Sequence, residues 1–245
     1  MLVLIDIGNT TVGLSIYNNK DITCLKIIDT LALKEKKIDL ENEYKGLFDK
    51  VDDCFISSVV PSLNNCFKSY FKKNFDIEPL FLNIAMNKKY HINLDKPNEL
   101  GSDLLAAIYG SSIYFNEAIV VDLGTASKFL IIKNDEFLGG AIAPGFEGSV
   151  NSLFNNAEML NEFKMEDASK VVGNSTMECI TNGSIFGMVS LVEGMIERIK
   201  KETNIQNVIL TGGSIVHILK HLSFKYLYAP NLIYEGLLLI YEYQK

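Results

Sequence analysis

The chain has 245 residues, 48% apolar and 22% charged, with a formal net charge of −7. That length buries a sizeable core, as one large domain or as two of about 120 residues each. The acidic balance and the scattered lysines argue against a nucleic-acid backbone as the main partner; the densest basic runs, KKNF (72–75) and NKKY (87–90), read as solvated surface.

In chain order, LVLID (2–6) reads as a buried strand, five β-rich residues stopped by a charge. Gly8-Asn9-Thr10 is a turn, and TVGLSIY (11–17) and ITCLKII (22–28) continue as a meander. LENEYKGLFDKV (40–51) places Leu40, Tyr44, Leu47, Phe48 and Val51 on one helical face. DCFISSVV (53–60) has the continuous apolar character of a parallel strand, followed by a helix with Ser62 as its N-cap. PLFLNI (79–84) reads as a short strand and residues 98–115 as a small-residue helix. The order then restarts. EAIVVD (117–122) is a strand, Gly124-Thr125 a turn and SKFLIIK (127–133) a strand, with the chain running on through FLGGAIAPG (137–145). Helices follow at about 146–156 and 175–201, then a strand at NVILTGG (207–213) and helices at 215–222 and 231–244.

The two halves share a plan, a meander and then alternating helix and strand, with a period near 115 residues. That is too long for a solenoid. It points to two similar α/β domains, 1–115 and 116–245. The four cysteines form no C-x-x-C pair or zinc spacing; Cys54 and Cys179 lie in apolar runs and read as buried, reduced thiols of a cytoplasmic protein. The N-terminus lacks a basic region before its apolar stretch, and no run of about 18 uninterrupted apolar residues occurs, so neither a signal peptide nor a membrane span is expected.

Each half opens with the same phrase, a strand delivering an Asp to a glycine turn: DIGNT at 6–10 and DLGTAS at 122–127. A glycine turn offers backbone N–H groups to phosphate oxygens, and the Asp can hold a metal ion directly or through water. Two copies, one per domain, would close on one triphosphate. A single D-x-G is also ordinary strand-ending turn chemistry; two copies in register, with TGG (211–213) behind a buried strand, favour the phosphate reading.

DIGNT, GSD (101–103), DLGTAS, GGAIAPG (139–145), GNST (173–176) and TGG occur in the order found in type III pantothenate kinases, and SSVVP (57–61), NGSIFG (182–187) and PNLIYEGL (230–237) fit between them. The chain resembles that family over essentially its whole length. The resemblance implies two ribonuclease H-like domains of the actin and sugar-kinase superfamily, with mixed sheets and ATP in the cleft between them. It implies phosphorylation of pantothenate by ATP, the first step of coenzyme A synthesis, in a cytoplasmic homodimer. Asp6, Ile7, Gly8, Asn9, Thr10, Thr11, Val12 and Gly13 match the ATP phosphate loop, with Asp6 holding magnesium largely through water. Thr125 matches the ATP contact of the second copy, and Asp122 the ligand of a monovalent cation, potassium or ammonium. Asp103 matches the general base; Gly101, Ser102, the residue at Leu104 and Thr176 match the pantothenate contacts. The plain alternative for Asp103 is a first-turn acid favoured by the helix dipole. Gly139-Gly140 and Pro144-Gly145 read as turn chemistry shaping the site.

Three positions depart from the family pattern. Leu104 stands where an Arg usually follows the base, Lys128 where Thr is usual, and Leu94 where a Tyr is frequent. Leu104 leaves the site one cation short, and Arg198 is the only arginine in the chain. Lys128 is placed either toward Asp122, restoring positive charge, or on the outward face of its strand. Two rival readings remain: a catalytically weak nucleotide-binding relative acting as an accessory or regulatory protein, and a small sugar kinase.

Overall fold

The computed structural model describes residues 1–48, 50–155 and 167–245. The chain forms two compact units, Met1–Tyr114 with Asn231–Lys245, and Phe115–Pro230.

The first unit holds β1 (Leu2–Ile7), β2 (Thr11–Tyr17), β3 (Ile22–Asp29), β4 (Asp53–Ser58) and β5 (Leu80–Phe81) in the order β3-β2-β1-β4-β5. Strands β1, β2 and β3 are antiparallel neighbours, while β4 runs parallel to β1 and β5 parallel to β4. Its helices are α1 (Thr30–Lys34), α2 (Leu40–Glu43), α3 (Pro61–Phe75), α4 (Ser102–Ser111) and α7 (Leu232–Gln244); β6 (His91–Ile92) is a further short strand. Val3, Ile5, Ile7, Val12, Leu14, Ile56, Phe67 and Phe71 form one apolar core on this sheet.

The second unit repeats the plan. It holds β7 (Glu117–Leu123), β8 (Ala126–Lys133), β9 (Glu136–Pro144), β10 (Val208–Thr211) and β11 (Leu227–Tyr228), with α5 (Phe146–Asn155) and α6 (Thr176–Thr203). The strands of this unit run in the order β9-β8-β7-β10-β11. That is the first unit's order, with the meander antiparallel and the later strands parallel. The fold is mixed α/β with two mixed sheets, and the duplication read from the sequence is present strand for strand. Ser175 caps α6 by accepting the Glu178 N–H at 3.2 Å. This 28-residue helix is long and apolar enough to cross a membrane by length and composition. Yet Ile185, Met188, Val192, Ile196 and Ile199 lie buried in the core on β7 and β8.

Several expectations shift. The sequence pattern puts 231–245 with the second half, but α7 belongs to the first unit. The reason is close helix packing: a Cβ on Gly236 would strike the Ala106 carbonyl, and one on Gly110 the Leu232 carbonyl, so α7 and α4 meet backbone to backbone. The helix expected over 40–51 ends at Glu43, because Gly46 takes the left-handed conformation (φ 71°); residue 49 lies outside the described residues. The helix expected from Ser62 begins at Pro61, with Val60 as cap, since proline fits the first helical position. Residues 79–84 supply only the two-residue β5 before a 3₁₀ turn, and 215–222 forms 3₁₀ turns rather than an α-helix. The α5 helix reaches Asn155, and residue 156 of its expected span lies outside the described residues. Cys54 is buried as expected, but Cys179, like Cys24 and Cys66, is exposed.

Candidate active site

In the first unit β1 ends at Asp6 and Ile7. The Gly8 N–H does not face outward as the motif suggests; it donates to the Thr11 carbonyl at 2.9 Å and closes the turn. The second copy does the same, with the Gly124 N–H donating to the Ala126 carbonyl at 3.1 Å. The glycines therefore shape the turns, and the exposed Asn9, Thr10 and Thr125 carry the groups that can face a ligand. Ile7, Val12 and Gly13 are buried in the sheet, so their part is to hold the loop. Thr30, fully buried, pins the loop from behind: its hydroxyl donates to the Gly8 carbonyl at 2.8 Å and its N–H to the Thr10 carbonyl at 2.9 Å.

Gly13 lies directly opposite Asp6 in the β1–β2 register. The volume a side chain would take there is filled by the Tyr234 hydroxyl from α7. Burial, and then the Asp6 charge, push the Tyr234 hydroxyl well above the usual tyrosine range, so it stays a neutral donor beside Asp6. Neither Thr30 nor Tyr234 was expected from the sequence. The signal for Tyr234 was Gly13 itself, a glycine inside a strand, which marks close approach of another group.

GSD and SSVVP come together in the same unit. Gly101 is the N-cap of α4, extended at φ −61°, and Asp103 is in the first turn. The Ser102 hydroxyl accepts the Ser58 N–H at 2.9 Å and lies 3.1 Å from the Ser57 hydroxyl, which ties the helix start to the end of β4. Asp103 Oδ1 accepts the Leu104 N–H at 2.9 Å, and a side chain on Gly101 would press on that carboxylate. Asp103 and Leu104 are half-buried. Asp103 is thus a first-turn acid, which is also where an anionic ligand would be held.

In the second unit β7 ends at Asp122 and Leu123, and the register sets Lys128 directly across from Asp122. Cross-strand partners share a face of the sheet. The Lys128 Nζ meets Asp122 Oδ2 at 2.9 Å, with side-chain exposures of 20% and 7%. Lys128 thus points inward rather than onto a solvated face. Thr211 lies beside Asp122 in the β10–β7 register, and Gly212 (φ 93°) packs its backbone so close that a Cβ would stand 2.5 Å from Asp122 Oδ1. TGG is therefore built against the second Asp turn. Gly139 and Gly140 lie inside β9 rather than in a turn, and close packing explains the glycines: Cβ atoms on Gly145 and Gly140 would strike the Thr125 and Phe129 carbonyls.

Thr176 opens α6 and lines a cavity of about 530 Å³ in this unit, whose walls include Pro144, Phe146, Val150, Ile180 and Met188. Magnesium keeps most of its waters and takes one or two carboxylates together with substrate phosphates. The Asp6 carboxylate at the end of β1, beside an exposed turn, fits that ion. Among the described residues no three His, Cys, Asp or Glu side chains gather into a metal site.

Two α/β units with the same order of their five main strands, each carrying an Asp-x-Gly sequence where its first strand ends, make up the fold. Among solved structures it is similar to a protein described as a 2-dehydro-3-deoxygalactonokinase from Sinorhizobium meliloti (TM-score 0.56, 12% identity, 98% of each chain). It is likewise similar to one described as a Baf family transcriptional activator from Campylobacter jejuni (TM-score 0.61, 20% identity, 99% of this chain and 98% of that one). Residues 2–198 match the family model of the type III pantothenate kinases. The type III pantothenate kinase of Persephonella marina is 38% identical over 99% of both chains, and that of Roseiflexus sp. 34% identical over 99% of this chain and 98% of its own. The chain belongs to the type III pantothenate kinase family.

Proposed function

We propose that this chain phosphorylates pantothenate with ATP, giving 4′-phosphopantothenate in the first step of coenzyme A synthesis. The observation that carries the reading is the family match across residues 2–198. ATP is the co-substrate that a kinase of this family uses.

Phosphoryl transfer asks a protein for position and charge rather than covalent chemistry. In this reading Asn9, Thr10 and Thr125 face the phosphates, held by turns that Gly8 and Gly124 close. Asp6 would hold magnesium, mostly through its waters, and that ion would supply positive charge to the phosphates. Asp103 accepts the proton of the attacking hydroxyl. Gly101, Ser102, Leu104 and Thr176 contact pantothenate. The Ser102 hydroxyl, tied to Ser58 N–H, fixes the start of α4 and so the aim of Asp103. The family resemblance also supports a homodimer working in the cytoplasm.

A coupled assay of ADP release tests this. ADP should form with pantothenate and not with a panel of hexoses or with no acceptor. Release with a sugar alone would transfer the reading to a sugar kinase; nucleotide binding without turnover of any acceptor would leave an accessory protein.

A further inference from the structure

The second Asp turn differs from the first in what stands opposite its carboxylate. Across from Asp6 is a glycine, its space filled by a neutral hydroxyl. Across from Asp122 is Lys128, in direct cross-strand register and 2.9 Å from Oδ2. Five residues separate them, and the turn that Gly124 closes brings the two strands into this register. On the other oxygen's side, Gly212 packs its backbone against Oδ1. A carboxylate this buried needs a positive partner, and here the chain carries its own. A free monovalent cation at Asp122 would compete for the oxygen that Lys128 Nζ holds and would meet a like charge beside it.

We propose that Lys128 is a tethered cation that replaces potassium or ammonium at Asp122, so that this kinase neither binds nor requires a free monovalent cation. Lysine's ammonium is a compact point charge with three donors, similar in kind to an ammonium ion. Fixed by the strand register, it is present at every turnover at no cost in ion binding. It also returns one positive charge to a chain that has Leu104 beside its general-base candidate. The proposal rests on Asp122 belonging to the active site, as the proposed function has it.

The test has two arms. In the first, thermal stability of the wild-type protein is measured in potassium, ammonium, sodium and choline chloride at matched ionic strength, and thallium-205 resonance is followed on adding thallous ion. The wild type should melt alike in all four salts and leave the thallous resonance unshifted. Lys128→Thr should gain stability in potassium and ammonium alone, by mass action, and shift the resonance. In the second arm, wild-type turnover should hardly change between choline and potassium. Lys128→Thr should fall by about 10²-fold in choline, the usual scale for losing one preorganised charge contact, and recover in ammonium. Lys128→Arg, which keeps the charge, should stay independent of potassium, and serves if the threonine variant does not fold. Potassium-specific stabilisation of the wild type, a thallous shift in the wild type, or strong activation of the wild type by potassium each overturns the proposal. A protein that turns over no pantothenate in any salt refutes the proposed function instead, and the ion-binding arm still decides the role of Lys128.

Discussion

The hydroxyl of Tyr234 stands in the space that a side chain on Gly13 would occupy, opposite Asp6. This contact joins the closing helix of the chain to its first phosphate-loop candidate within one unit. Gly13→Ala should therefore force the ring aside and destabilise the protein by about 1–3 kcal/mol, the usual range for overpacking. Tyr234→Phe removes the atom in the way. The double variant should be less destabilised than the sum of the two singles, and denaturant unfolding of all four proteins measures that coupling. Strict additivity would mean that the two residues do not meet.

Asp103 separates two roles by kinetics. As a general base its replacement by Asn should lower kcat by about 10²–10⁴-fold while ATP affinity holds. As a first-turn acid alone it should cost about 0.3–1 kcal/mol of stability and little rate. Steady-state kinetics and a melting curve on the same variant distinguish them.

Much of this was legible before the fold was known, because the informative signals are local. Strands β1, β2, β7 and β8 announce themselves as apolar runs stopped by Asp6 or bounded by glycine turns. The duplication followed from those runs, and it reappears as the same order of the five strands that each unit contributes. What failed was decided by tertiary contact. Helical spacing over 40–51 was real, but Tyr44 and Phe48 use it to pack a looping segment against Tyr70 and Phe75. The placement of α7 depended on Gly236 meeting Ala106, 130 residues away, which no window of sequence reports. The motif residues Asp6, Asp103 and Asp122 were legible, while Thr30, Ser57 and Tyr234, which pack on the first unit's motifs at Gly8, Ser102 and Gly13, were not, since each reaches its partner through folding.

Nucleotide choice gives another test. The turns that face a ligand offer backbone and hydroxyl groups suited to phosphate, and TGG offers backbone rather than an aromatic face for a base. Discrimination between bases rests on pairing or stacking with buried groups. GTP and CTP should therefore support turnover with kcat/KM within about tenfold of ATP, a difference of about 1.4 kcal/mol. Strict ATP selectivity at saturating nucleotide would require a base pocket that these residues do not supply.

Glu235 follows Tyr234 on α7 and carries a pH-dependent cost. Burial raises its carboxyl above the usual glutamate range, while the hydrogen bond from the Tyr114 hydroxyl, 2.8 Å to Oε1, pulls the other way. Among the described residues, buried Oε2 has no hydrogen-bond partner. The Tyr114 hydroxyl is itself pushed up to about 12, by burial first and then by that bond, so it remains the donor at neutral pH. A carboxyl with a raised folded-state pKa favours folding while it is protonated. That contribution is complete below the unfolded glutamate pKa and is lost as pH rises through the folded value. At pH 8 the fold thus carries an ionised group it would rather hold neutral. Glu235→Gln keeps an Oε1 acceptor for Tyr114 and removes the charge. Its melting temperature should exceed that of the wild type at pH 8, and the gap should close toward pH 4. A gap that is constant with pH, or that widens in acid, would show that Glu235 ionises as freely in the fold as in the unfolded chain.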